Sequence, residues 1–167
     1  RWFEYGCFCP VMRLHGYRWP LQPQYGTTGG ATCVSGAPNE VWSYTDQVCE
    51  ILSDYLRLRE RMLPYITELM EEAHEKGTPV MRPLFYDFPE DKESWNVETE
   101  YMFGPKVLVK PITDADARET DVYLPGGASW TNAWTGETFE GGQTVHVAAP
   151  IEQIPLFTRD GYKLPVK

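Results

Sequence analysis

The hydrophobic period of this chain changes at Gly77, and that change limits the possible folds more than any other feature. Before it, Val48, Leu52, Tyr55, Leu56, Met62, Ile66, Leu69, Met70 and Ala73 recur at three and four residues, forming one apolar stripe on a helix. Arg57, Arg59, Glu60, Arg61, Glu68, Glu71 and Glu72 occupy the opposite face. After it, six short β-rich runs at 101–103, 107–110, 120–124, 129–133, 144–147 and 154–157 are separated by turn residues such as Pro125-Gly126-Gly127 and Glu140-Gly141-Gly142. The change of period predicts two parts, residues 1–77 closing in this helix and an antiparallel β-sandwich over 78–167.

The helix has candidate caps in Ser43, Thr45 and Asp46 and a stop in Glu75-Lys76-Gly77. Pro64 lacks an amide proton, which predicts a kink or two abutting helices. His74, near the helix end, reads as a solvated residue favouring the negative pole. A strand is expected over 80–85, then an acidic, Pro-bearing segment over 87–96 that could hinge the two modules.

Upstream, the apolar run from Phe8 to Met12 ends in Arg13, His15 and Gly16. This predicts a short buried strand delivering polar groups at its tip, with Arg13 and His15 two residues apart on one face. The alternative is a surface arginine beside a structural histidine. The stretch 17–39 is rich in Gly, Thr, Pro and Gln and predicts a long loop. Tyr17, Arg18 and Trp19 would face a ligand from it, or Trp19 and Tyr25 would pin it to the surface.

The net charge of −9 and pI near 4.8 oppose binding to nucleic acid and acidic membranes, leaving neutral or cationic partners. The four cysteines, Cys7, Cys9, Cys33 and Cys49, lack metal-site spacing and read as free thiols of a reducing, cytoplasm-like compartment. No metal or other cofactor is expected. No apolar run approaches the roughly 20 residues of a membrane span, so a soluble chain is expected. The start at Arg1, without methionine or leader, suggests a piece of a longer protein.

Arg1-Trp2-Phe3-Glu4-Tyr5-Gly6-Cys7-Phe8-Cys9-Pro10 with Arg13-Leu14-His15-Gly16 resembles the end of the catalytic domain of glycoside hydrolase family 31, which includes α-glucosidases and α-xylosidases. Tyr55-Leu56-Arg57-Leu58-Arg59-Glu60-Arg61-Met62-Leu63-Pro64-Tyr65, Thr78-Pro79-Val80-Met81-Arg82-Pro83-Leu84, and Tyr101-Met102-Phe103-Gly104 with Leu108-Val109-Lys110-Pro111-Ile112 follow in the family's order. The resemblance implies an α+β fragment: the last strand, loop and helix of a (β/α)₈ barrel, then an antiparallel β-sandwich. It implies a retaining α-glycoside hydrolase acting on an oligosaccharide or α-glycoside. Such an enzyme needs two carboxylates about 5 to 5.5 Å apart; the family's order places both aspartates before Arg1, and neither Asp46 nor Asp87 matches their motifs. By the same resemblance, His15 binds a sugar hydroxyl in the innermost subsite and Arg13 supports it. Gly16 after the histidine resembles the α-xylosidases more than the α-glucosidases.

Two further expectations follow. Trp130 and Trp134, four apart, would share a strand face, either as a sugar-binding platform or in the core. A barrel edge without its neighbours would leave apolar surface bare, so the fragment would dimerise or rearrange its N-terminal segment.

Overall fold

The computed structural model describes residues 1–16 and 38–166. Helix α1 (Trp2–Cys7) leads into an irregular segment to Gly16; a single 3₁₀ turn (Val41–Ser43) then precedes helices α2 (Asp46–Arg61) and α3 (Leu63–Lys76). Eight strands follow, β1 (Met81–Arg82), β2 (Tyr101–Phe103), β3 (Val107–Val109), β4 (Glu119–Leu124), β5 (Ser129–Asn132), β6 (Thr138–Glu140), β7 (Gln143–Ala148) and β8 (Leu156–Arg159). Between β1 and β2 lie the one-turn helix α4 (Leu84–Asp87) and a second 3₁₀ turn (Glu93–Trp95).

The helical signals act as read. Thr45 caps α2, its hydroxyl accepting from the Val48 amide at 3.4 Å. Pro64 falls in the first turn of α3, where no intrahelical donor is needed, so the long stripe breaks into two helices abutting at Met62. Gly77 ends α3 at φ 70°, a left-handed conformation that costs glycine little. The buried stripe is narrower than the apolar one: Tyr55, Leu58, Met62, Tyr65, Ile66 and Leu69 are buried, while Leu56 and Met70 are exposed. His74 is exposed, as expected of a solvated residue.

Six strands form one antiparallel sheet in the order β1-β2-β3-β8-β5-β6, and β4 pairs with β7 in a second. Period-two alternation divides the larger sheet between two cores. Phe103, Val107, Val109 and Leu156 face the helices with Phe8, Tyr55, Met62 and Leu69. Met102, Leu108, Trp130 and Phe157 face the smaller sheet, packing with Val122, Leu124 and Val145. The result is three layers, helices on a six-stranded sheet on a two-stranded one.

Four expectations are corrected. Residues 8–16 form no strand: α1 occupies 2–7 and the chain beyond is irregular. A parallel barrel strand is held by neighbours on both sides, and among the described residues no strand pairs with this segment. The strand over 80–85 shrinks to β1, because Pro83 can neither donate to a ladder nor follow a helical residue easily, and α4 starts after it. The segment over 87–96 is fastened, not hinged: the Asp91 carboxylate accepts from the Tyr123 hydroxyl at 2.7 Å and from the Gly126 amide at 2.7 Å. Trp130 and Trp134 do not share a face, since β5 ends at Asn132 and Trp134 sits in the following turn. Trp130 is fully buried toward the smaller sheet, whereas Trp134 packs edge-on against Tyr55 on the helical side and donates to the Ile154 carbonyl at 2.7 Å. Strand β6, pairing with β5, carries only one half-buried aromatic, Phe139, and was not legible as a strand.

Candidate functional site

The segment carrying Arg13 and His15 has a fixed root. Arg59 on α2 donates to three backbone carbonyls within four residues, those of Cys7 at 2.7 Å, Cys9 at 2.8 Å and Pro10 at 3.0 Å. Carbonyls leaving a short helix have no intrahelical donor, and one guanidinium supplies several. From the sheet, the Tyr101 hydroxyl donates to the Phe8 carbonyl at 2.9 Å. Arg1 ties α1 to the sandwich, donating to the carbonyls of Ala149 at 2.6 Å, Pro150 at 3.0 Å, Ala117 at 3.1 Å and Gln153 at 3.1 Å, and to Glu4 at 3.1 Å. Burial raises the Glu4 carboxyl above its ordinary value against the pull of Arg1.

Beyond this root the tip is exposed. Arg13 and His15 both face solvent, and the Arg13 Nη2 lies 2.9 Å from the His15 Nδ1. The structure therefore brings together the two residues singled out by sequence, on an irregular segment in place of a strand. It adds a third, Asn39, whose side-chain Nδ2 donates to the His15 carbonyl at 3.0 Å, while its Oδ1 accepts from the Tyr44 hydroxyl. Asn39 lies 24 positions from His15, and nothing in the local pattern pairs them. Tyr17, Arg18 and Trp19 lie outside the described residues, as do Tyr25 and Cys33.

Among the described residues, two of the cavities lie elsewhere. One of about 620 Å³ runs between α2 and the sandwich, lined by Ile51, Tyr55, Leu58, Trp134 and Glu152. The other, of about 730 Å³, is lined by Trp2, Tyr5, Met81, Tyr101 and Ile112. Neither includes Arg13 or His15. Glu119 and Asp121 reach His146 at 3.5 and 2.7 Å on the exposed face of the smaller sheet. Asp87 is engaged by Arg82 at 3.1 Å. No group of three or more His, Cys, Asp or Glu side chains among the described residues is arranged to hold a metal ion.

Cys7, Cys9 and Cys49 are free thiols. Burial pushes the Cys7 thiol up to about 12, so it is protonated and unreactive at neutral pH. No helix among the described residues is long and apolar enough to cross a membrane.

Comparison with known proteins agrees along the whole chain. Residues 1–69 match the Glycosyl hydrolases family 31 TIM-barrel domain, and residues 77–164 match the Glycosyl hydrolase family 31 C-terminal domain. The α-xylosidase of Saccharolobus solfataricus is 36% identical over 99% of this chain and 20% of its own length. Alpha-glucosidase 2 of Bacillus thermoamyloliquefaciens is 35% identical over 96% of this chain and 18% of its own. The crystal structure of a family 31 α-xylosidase from a soil metagenome, complexed with xylose, superposes with a TM-score of 0.89 at 45% identity, covering 98% of this chain and 24% of that one. The chain thus spans about a fifth of the length of the curated relatives it matches. Two consecutive domain matches in the family's order, and a superposition that runs through both the helical end and the sandwich, place this chain in glycoside hydrolase family 31 as the end of its barrel and the C-terminal domain that follows.

Proposed function

We propose that these residues belong to a retaining α-glycoside hydrolase acting on α-xylosides, and that His15 donates a hydrogen bond to a hydroxyl of the bound sugar. The observation that carries this reading is the exposed imidazole of His15, held at 2.9 Å by Arg13 on a segment whose root is clamped by Arg59. A substrate-binding group needs an open face and a fixed base, and His15 has both. The xyloside preference is supported by Gly16 after the histidine and by the relatives named α-xylosidase at 36% and 45% identity. The boundary between the barrel portion and the sandwich falls at Gly77, where the left-handed turn ends α3. The two catalytic carboxylates lie outside these 167 residues, so the partner of the complete enzyme is an oligosaccharide or α-glycoside and the fragment alone is inactive.

The test is steady-state kinetics of the complete enzyme on nitrophenyl α-xyloside and α-glucoside, with and without His15→Ala. A donor whose bond strengthens as the sugar distorts is worth roughly tenfold to a thousandfold in kcat/KM. Near-normal kinetics in a folded His15→Ala enzyme would remove the role from His15. Preference for the glucoside would reverse the choice of sugar.

A further inference from the structure

The geometry points to Arg13 and Asn39 as positioning residues for His15: Arg13 selects which ring nitrogen carries the proton, and Asn39 holds the backbone from which the ring is presented. The inference rests on the reading of His15 as a sugar-binding donor, and it names what makes a donor of that ring.

A guanidinium has five N–H donors and no acceptor. With Arg13 Nη2 at 2.9 Å, the His15 Nδ1 takes the acceptor role and uses its lone pair. Neutral imidazole has a single N–H, so the proton resides on Nε2, at the opposite edge of the ring. That edge becomes a hydrogen-bond donor, and a sugar hydroxyl can accept from it. The choice matters in a glycosidase site because carboxylates there accept and never donate when ionised. A hydroxyl that gives its own proton to a carboxylate needs a donor as its second partner, and the Nε2–H form of His15 supplies one. The other tautomer would present a lone pair and compete for the same proton.

Asn39 acts on the main chain. The His15 carbonyl can only accept, so the amide nitrogen of Asn39 faces it at 3.0 Å and the amide oxygen faces the Tyr44 hydroxyl. Residue 39 stands two residues before the 3₁₀ turn at Val41–Ser43, which leads into the capped α2, so the bond carries the position of that helix back to His15. Among the described residues, the other hydrogen bond nearest along this backbone is that of Arg59 to the Pro10 carbonyl, five residues from His15.

The experiment uses the ¹³C,¹⁵N-labelled 167-residue chain at about pH 8, above the ordinary histidine range, and reads the tautomer from two-bond proton–nitrogen correlations. His15→Gln assigns the signals against those of His74 and His146. The expected wild-type pattern has the proton on Nε2. In Arg13→Ala the ratio of Nε2–H to Nδ1–H forms falls about fivefold, the worth of one ordinary hydrogen bond. Arg13→Lys, which keeps a cationic donor, recovers part of the ratio. Asn39→Ala leaves the ratio unchanged and shifts the His15 carbonyl resonance. A wild-type proton on Nδ1, or a wild-type ratio in Arg13→Ala with unaltered circular dichroism, would overturn the role of Arg13; an unshifted carbonyl in Asn39→Ala would overturn that of Asn39. No sugar enters this measurement, so its failure is distinguishable from a failure of His15→Ala to affect the complete enzyme.

Discussion

The Tyr65 hydroxyl, on α3, donates to the Phe103 carbonyl at 2.8 Å, in the interior between the helices and the larger sheet. The same oxygen accepts from the Lys106 amide at 3.3 Å, so one phenol serves both sides of the β2–β3 turn. Tyr65→Phe keeps the ring and its edge contact with Phe103 while removing both hydrogen bonds of the buried phenol. The expected loss is about 1–3 kcal/mol of unfolding free energy. Urea denaturation of the variant beside the parent measures it; coincident midpoints would contradict the assignment.

Gly104 sits in that turn at φ 62°, and a Cβ added there would overlap the Tyr65 hydroxyl and approach the Leu69 methyls to 2.5 and 2.7 Å. Both the left-handed backbone and the absent side chain are therefore required. Gly104→Ala is expected to cost more than about 2 kcal/mol, combining the backbone penalty with overpacking against α3. A thermal melt that moves by less than a degree or two would show that the helix yields at no cost.

Asp91 supplies the pH dependence. Burial alone would raise its carboxyl, but the Gly126 amide, the Tyr123 hydroxyl and the amides of Glu93 and Ser94 outweigh it and bring the folded-state value below the ordinary one. A depressed folded value means stability present in full above the ordinary carboxylate range and lost as pH falls through the folded value. Asp91→Asn, which weakens those bonds, is expected to lose about 1 kcal/mol at neutral pH. The gap to the parent should close progressively as pH falls below the ordinary carboxylate range and through the depressed folded value, where the parent carboxyl also becomes neutral. A gap that stays constant with pH would mean that charge plays no part.

The chain by itself is expected to hydrolyse neither nitrophenyl α-xyloside nor α-glucoside above the buffer rate. A histidine that donates to a sugar cannot act as both nucleophile and proton donor, and retaining glycoside hydrolysis needs two carboxylates held close together. Turnover that survives repurification would mean that a competent pair lies within these residues. Trp2, Val11 and Trp42 are exposed at 85, 76 and 74%, so light scattering on the same sample should show self-association if bare apolar surface drives the fragment together.

Much of the architecture could be read along the chain because its signals are local. Thr45, Pro64 and Gly77 act within a turn of their own position, through a hydroxyl, a missing amide proton and a freely adopted left-handed backbone, and α2 and α3 begin and end where they dictate. Short β-rich runs bounded by turn residues likewise marked β2, β3, β4, β5, β7 and β8 within a residue or two. The candidate pair, Arg13 and His15, was singled out by the family's motif, while the strand from which their two-residue spacing was argued does not form.

Tertiary structure decided the rest. Helix α1 is six residues long, too short to persist through its own hydrogen bonds, and it holds because Arg1, Arg59 and Tyr101 take its carbonyls and neighbouring loops from three directions. Trp134 left the face of Trp130 because a turn intervenes after Asn132, whose side-chain oxygen accepts from the amides of Trp134 and Thr135. Asn39 met His15 through a bond spanning 24 positions. Caps, breakers and periodicity set where elements start and which face is apolar, since each involves atoms a few residues apart. Which distant carbonyl an arginine finds, and which amide holds a histidine, depends on packing that brings remote segments within 3 Å, and no period in the sequence records it.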